Sequence, residues 1–372
     1  MRGLYLHVPF CFHKCHYCDF YSIVDALGRH EQFVHRLLRE RDAAAEAMGD
    51  TPETIFVGGG TPTLLPAASW RELLAGLASS IGPGLAEFTV EANPETVTGE
   101  LLDVLVAGGV TRISIGAQSF QPAHLQTLER WHDPENVARS VERARAAGLR
   151  RVSLDLIFGI PGQTVDDWAD DLARALALEP DHLSCYGLTY EPNTPMTIRL
   201  RRGDFEASPD ETTAAMYELT RHTLALAGYE HYEISNWARP GERCRHNLLY
   251  WTNRSWWPLG PGAAGHVGGV RWKNAPRLSE YLESSGLPPI TDVERVDADG
   301  VVGERLMLGL RLIDGLPLGV IDELLATGGR GSTRAAAIAK HEDAGRLERA
   351  NGRLRLTETG QLLADLVLVD LI

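Results

Sequence analysis

From Leu4 to about Gly228 the chain alternates short β-rich runs with longer amphipathic ones, and this alternation restricts its fold more than any other feature. The runs expected to be strands are residues 4–8, 54–57, 87–91, 112–116, 151–158 and 183–189. Residues 25–48, 69–81, 99–107, 136–147, 165–178 and 209–227 read as the helices between and after them. Two end at Ala147-Gly148 and Ala227-Gly228, as a helix with a glycine C-cap does. Mostly apolar strands, each followed by a helix, predict an α/β fold with a parallel sheet covered by helices. A closed barrel of eight such units takes about 250 residues. Six units ending near residue 228 predict an open, three-quarter (β/α)6 barrel, with a flat doubly wound sheet as the alternative.

The unusual polar residues then gather at one end of that sheet. Val57 runs into Gly58-Gly59-Gly60-Thr61, Val90 into Glu91-Ala92-Asn93-Pro94, and Ile115 into Gly116-Ala117-Gln118, while Asp155 lies inside the fifth strand run. All stand at or near C-terminal strand ends, where parallel β/α folds carry their sites. Taken singly, Glu91, Gln118 and Asp155 are as well explained as loop caps. Their common location favours one ligand pocket.

The first strand leads into "PFCFHKCHYCDF", which holds Cys11, Cys15 and Cys18, three of the five cysteines. Five thiols in 372 residues do not make a disulfide scaffold and point to a reducing, cytoplasmic setting. Three clustered thiols leave a tetrahedral zinc site one ligand short unless His13 or His16 completes it, and Cys185 and Cys244 are distant in sequence. Inert core thiols do not explain clustering on one loop. A 4Fe–4S cluster on three thiolates, its fourth iron open for another ligand, explains the count. With 44% hydrophobic and 23% charged residues the chain reads as soluble and globular. No apolar run approaches the ~18 residues of a membrane span, and the cysteines follow too soon for a signal peptide. A net charge of −14 without a basic stripe argues against nucleic acid as a main partner.

C-x-x-x-C-x-x-C with an aromatic, Tyr17, before its last cysteine resembles the signature of the radical S-adenosylmethionine superfamily. In that superfamily the open iron chelates the amino and carboxylate groups of S-adenosylmethionine. The likeness narrows further, because "LYLHVPFCFHKCHYCDF", "VGGGTPTLL", "VEANPE", "SIGAQSF", "LERWHD", "DLIFGIPGQT", "YEISNWARPG" and "HNLLYW" occur in order. Together they resemble the oxygen-independent coproporphyrinogen III dehydrogenase (HemN) family, and in particular its heme-chaperone branch, HemW. The resemblance implies a 4Fe–4S cluster on Cys11, Cys15 and Cys18. It implies S-adenosylmethionine contacts from Tyr5, Tyr17, Gly59, Gly60, Thr61, Glu91, Gln118, Arg130 and Asp155, the glycines letting backbone donors approach. Without it, Arg130 reads as a solvated surface arginine. Two departures favour the chaperone over porphyrinogen decarboxylation: Phe20 stands where the dehydrogenase has a further cysteine, and "LYLHVPFC" begins at Leu4 without that enzyme's N-terminal extension. A radical enzyme acting on an unknown substrate is the third reading. The branch implies heme as a further cofactor, handed to heme-accepting proteins that include membrane-bound respiratory cytochromes. A cytoplasmic chain peripheral at the membrane, and a homodimer, are compatible with it.

These features divide the chain into a barrel domain over residues 1–228, a connecting segment over 229–299 and a C-terminal domain over 300–372. From Trp237 to Trp272 the connecting segment holds five of the eight tryptophans. If "HNLLYW" is helical, His246 and Tyr250 share a face at i,i+4, with Asn247 and Trp251 beside them. Residue chemistry alone favours histidine and tryptophan packing a domain junction. The resemblance instead implies that His246, Asn247, Tyr250 and Trp251 form a heme motif, with His266 a weaker second histidine. The last domain reads as three short helices, a hairpin at Asn351-Gly352 and a closing helix over 358–369. That pattern is winged-helix-like but lacks a DNA reader's basic charge.

Overall fold

In the computed structural model, which describes residues 2–25, 27–49 and 51–372, all six expected strands form. They are β1 (Gly3–Val8), β2 (Thr54–Gly59), β3 (Glu87–Ala92), β4 (Arg112–Gln118), β5 (Arg151–Phe158) and β6 (His182–Gly187). Each pairs in parallel with the next in chain order. That order settles the alternative, because a doubly wound sheet would reverse direction partway across. Leu4, Leu6 and Val8 alternate with Tyr5 and His7 along β1, and the three aliphatic side chains are buried with Ile55, Val57 and Phe33 in the main core. The alternation sends one set outward under the helices and leaves the other lining the barrel.

The sheet stays open and continues at both edges. Six more strands, all from residues 229–299, are β7 (Glu230–Glu233), β8 (Asn236–Ala238), β9 (Trp256–Leu259), β10 (Ala264–Val267), β11 (Val270–Asn274) and β12 (Ile290–Arg295). The resulting order is β12-β11-β10-β9-β1-β2-β3-β4-β5-β6-β8-β7. The segment expected to connect two domains is thus part of the barrel's own sheet, with β9 parallel to β1 and β8 antiparallel to β6.

Most helices stand where periodicity puts them, including Gly99–Ala107 and Val165–Ala177 with its Thr164 capping box. The helix expected from residue 25 starts at His30, because the Asp25 side chain accepts the Arg29 N–H at 2.8 Å and forms a turn; Ala26 lies outside the described residues. The stretch 69–81 divides into Ala67–Gly76 and a 3-10 turn, Leu77–Ser80. Three short α-helices were not anticipated, Pro122–Thr127, Pro195–Arg202 and Leu278–Glu283, the first two with proline in the first turn.

The C-terminal part has its own core, built on Val302, Leu306, Ile321, Ile338, Leu354 and Val367. Helices Ala298–Gly309, Leu318–Leu325 and Gly331–Asp343 pack with β13 (Leu316–Pro317), β14 (Leu347–Ala350) and β15 (Arg353–Leu356). Asn351 and Gly352 take φ of 53° and 74°, the left-handed pair that a tight hairpin requires. The closing helix breaks at Leu363 into Glu358–Leu362 and Ala364–Val369. Among the described residues, no helix is long and apolar enough to cross a membrane.

Candidate functional site

The loop after β1 folds over the C-terminal strand ends and is tied there by backbone bonds. Cys11 N–H donates to Ile23 O at 2.9 Å, Gly60 N–H to Val8 O at 2.8 Å and Thr61 N–H to Phe10 O at 2.7 Å. A cavity of about 450 Å³ opens between loop and strands. It is lined by Cys11, Cys15 and Cys18 and by every S-adenosylmethionine residue expected from the sequence except Tyr5.

The three thiols are free of disulfides. Burial pushes Cys18 up to about 11, with Cys15 and Cys11 adding to the shift, and burial raises Cys11 against the hydrogen bond from Thr61 Oγ1 at 3.7 Å. No three potential metal ligands are gathered at one point among the described residues. Arg130 supplies the positive charge: Nη1 reaches the Cys15 sulfur at 3.8 Å, Nη2 donates to Gly116 O at 3.2 Å, and the buried Nε has no partner. Three thiols on one loop, beside an unspent guanidinium donor, fit an iron–sulfur cluster with an open iron.

Opposite the cysteines stand two carboxyls. Glu91 is raised to about 7 by burial, with Asp155 adding and the Gly59 N–H, 3.1 Å away, opposing. Burial also raises Asp155, against hydrogen bonds from Ser184 and Ser114, the latter at 3.0 and 3.1 Å. Such a pair suits a cofactor that brings an ammonium or hydroxyl donors. Gln118 holds φ of 61° where β4 shifts register against β5, a conformation that non-glycine residues take at a cost and that recurs at functional sites.

The glycines serve another purpose than the one expected. The N–H groups of Gly59, Gly60 and Thr61 are committed to Glu91, Val8 and Phe10 and are not free for a ligand. A Cβ on Gly59 would meet the His7 ring at 2.5 Å, and one on Gly60 would meet Phe10 O at 2.6 Å. Their bareness seats the cysteine loop on β1 and β2.

Tyr5 faces a deeper chamber of about 440 Å³ that shares Glu91, Ser114 and Asp155 with the first cavity. The Tyr5 hydroxyl donates to His7 Nδ1 at 3.0 Å, since His7 Nε2 donates to Tyr21 O at 2.7 Å. Asn247 and Tyr250 of the expected heme motif line this chamber. Their helix, Arg245–Trp251, closes the opposite end of the barrel. Glu87, first in β3, accepts the N–H groups of Arg245 and His246 at 3.0 and 3.1 Å. Arg112, first in β4, donates to Glu87 at 3.4 Å and to Glu242 O at 2.9 Å. His246 is 0% exposed, with Nδ1 2.8 Å from Thr54 Oγ1 and Nε2 2.9 Å from the Tyr250 hydroxyl. Trp251 is half-buried with the Arg311 guanidinium 5.9 Å from its ring, and the buried His266 packs 5.2 Å from Trp256. The structure therefore does not bring the four motif residues to the cysteine cavity. Glu87, Arg112, His7 and Ser114 escaped the sequence reading; a charge opening an apolar strand was the signal for the first two.

A family profile described as "Radical SAM superfamily" matches residues 5–175, and one described as "HemN C-terminal domain" matches residues 296–363. A Mycobacterium tuberculosis protein named "Heme chaperone HemW" is 39% identical over 100% of this chain and 94% of its own length. An Escherichia coli protein of the same name is 40% identical over 71% of this chain and 70% of its own. The solved structure described as "Coproporphyrinogen III oxidase (HemN) from Escherichia coli is a Radical SAM enzyme" superposes with a TM-score of 0.84. It covers 99% of this chain and 89% of that one at 22% identity, a likeness of fold alone.

Proposed function

Because this chain belongs to the HemW heme-chaperone family of radical S-adenosylmethionine proteins, we propose that it binds heme and delivers it to acceptor proteins, membrane-bound respiratory cytochromes among them. The observation that carries this reading is the likeness, along the whole chain, to proteins named as heme chaperones. Phe20, where the resembling dehydrogenase has a further cysteine, supports it over porphyrinogen chemistry. Contact with a membrane-bound acceptor would be peripheral, and a homodimer is compatible with it.

Cys11, Cys15 and Cys18 would hold a 4Fe–4S cluster, and Tyr17, Gln118, Arg130, Glu91 and Asp155 would surround S-adenosylmethionine. When bound, the cluster supplies a single electron to that cofactor. Arg130 would hold negative charge beside Cys15, while Glu91 and Asp155 would take the positive end of the ligand, which favours their ionised forms, with any proton released to solvent. Gly59 and Gly60 keep the loop seated while it does so. Protein reconstituted anaerobically with iron and sulfide should hold one cluster whose reduced EPR signal changes on adding S-adenosylmethionine. Zinc uptake without iron would refute that half. Hemin titration should give a saturable Soret change, and its absence would refute the chaperone half, as would conversion of coproporphyrinogen III.

A second reading, a radical enzyme acting on a small molecule, is favoured by the polar chamber that opens off the cofactor cavity. Substrate-dependent release of 5′-deoxyadenosine would mark it.

A further inference from the structure

We propose that the end of the polar chamber away from the cysteines is a carboxylate-binding subsite, formed by Arg112 and Thr89. It takes a propionate of heme under the chaperone reading, on which the inference rests, and a substrate carboxylate under the second reading. The interior of a closed β/α barrel is packed with branched aliphatic side chains. Here the inward positions of β3 to β6 that line the chamber include Thr89, Arg112, Ser114, Ser153, His182 and Ser184. Buried groups of this kind are kept where they are hydrogen-bonded or where a ligand meets them.

Several are satisfied within the chain. Ser153 Oγ and His182 Nδ1 lie 2.8 Å apart, His182 Nε2 is 2.8 Å from the Tyr232 hydroxyl, and Ser114 donates to Asp155. Two are not. Thr89 Oγ1 and the Nε and Nη1 of Arg112 are buried without a partner among the described residues, and each residue is only 1% exposed. Thr89 and Arg112 are paired in register on β3 and β4, so their side chains stand side by side on the inner face. Glu87 does not absorb this donor capacity. It lies 3.4 Å from Arg112 Nη2 and already accepts the N–H groups of Arg245 and His246. The Nε–H and both Nη1 hydrogens are left over beside a hydroxyl, which is a donor set for an anion. The layout of charge agrees. Glu91 and Asp155 border the cofactor cavity and Asp19 is on the cysteine loop, whereas Arg112 opens β4 at the opposite end. Asn247 and Tyr250 of the expected heme motif line the same chamber, so one ligand can engage that motif and Arg112 together. Heme, an apolar macrocycle with two carboxylates on one edge, has the chemistry for both.

The test is a titration of the full chain with hemin and with hemin dimethyl ester, read by Soret absorbance and by tryptophan quenching, since Trp256 lines the chamber. Wild type is compared with Thr89→Val, which removes the hydroxyl, and with Arg112→Lys, which keeps the charge and removes the surplus donors. The wild type should prefer hemin to its ester by about tenfold. That preference should fall to about threefold in Thr89→Val and vanish in Arg112→Lys, with affinity for the ester unchanged. Thr89→Val should also keep or raise the urea midpoint of the ligand-free chain, because the hydroxyl it deletes has no partner. Equal affinity of the wild type for both porphyrins would overturn the proposal, as would variants that weaken both alike. If neither porphyrin binds saturably, the chaperone reading falls and succinate becomes the probe. A rise in melting temperature with succinate, absent from both variants, would then assign the subsite to a small substrate, and no rise would overturn it as well.

Discussion

Glu91 makes the cofactor cavity pH-sensitive. Its carboxyl, raised from the ordinary 4.5 to about 7 mainly by burial, keeps its proton in the folded chain where the unfolded chain has lost it. The stability this lends is complete below pH 4.5 and is lost as pH rises through about 7, a change on the order of 3 kcal/mol. Glu91→Gln has no such proton to lose, so wild-type minus variant stability should fall between about pH 5 and 7.5, measured as urea midpoints. A difference that does not vary with pH would mean the carboxyl is ionised throughout. That Glu91, Asp155 and the cysteines would share a site was readable from sequence, because strand ends in a β/α fold converge. That Tyr5 lines the adjoining chamber and not the cysteine cavity has a reason equally plain. It lies three residues before the end of β1, about 10 Å down the strand, and so faces the lower chamber.

At the level of elements, the helix Arg245–Trp251 depends on Glu87 for its start. One carboxylate serves the N–H groups of Arg245 and His246, the Cys244 thiol at 3.3 Å and the Arg112 guanidinium. Glu87→Ala should leave those donors and a buried arginine unmatched, at a cost of about 3 kcal/mol. Loss of the near-ultraviolet tryptophan signal before global unfolding would locate the damage at this helix, and an unchanged urea midpoint would refute the clamp. Helical periodicity revealed the faces of "HNLLYW" but not the end of the barrel it would close, because that depends on pairings with strand starts some 160 residues earlier (157 to Glu87 from Cys244). The proline-initiated helices Pro122–Thr127 and Pro195–Arg202 were missed because so few turns give periodicity little to act on.

For the whole molecule, two separate cores divide the work. They meet through Ile234, which packs on the second core, and through polar contacts, among them Ile313 N–H to Tyr232 O at 3.2 Å, Arg271 with Glu304 at 2.6 Å and the Arg221–Glu358 pair. A chain ending at residue 296 should therefore keep its three-cysteine site, taking up iron in the same ratio as the full chain while melting at a lower temperature; loss of iron uptake would show that the second core supports the first. The edges of the large sheet carry a further consequence. β1 is hydrogen-bonded to β2 on one side and to β9 on the other, with Gly3 opposite Trp256. During synthesis the strand that leads into the cysteines thus lacks a neighbour until the ribosome has made some 260 residues, and pairings so distant in sequence close slowly. Iron offered early would meet a loop resting on a strand with one edge still unpaired, so metal loading belongs to a late step of biogenesis.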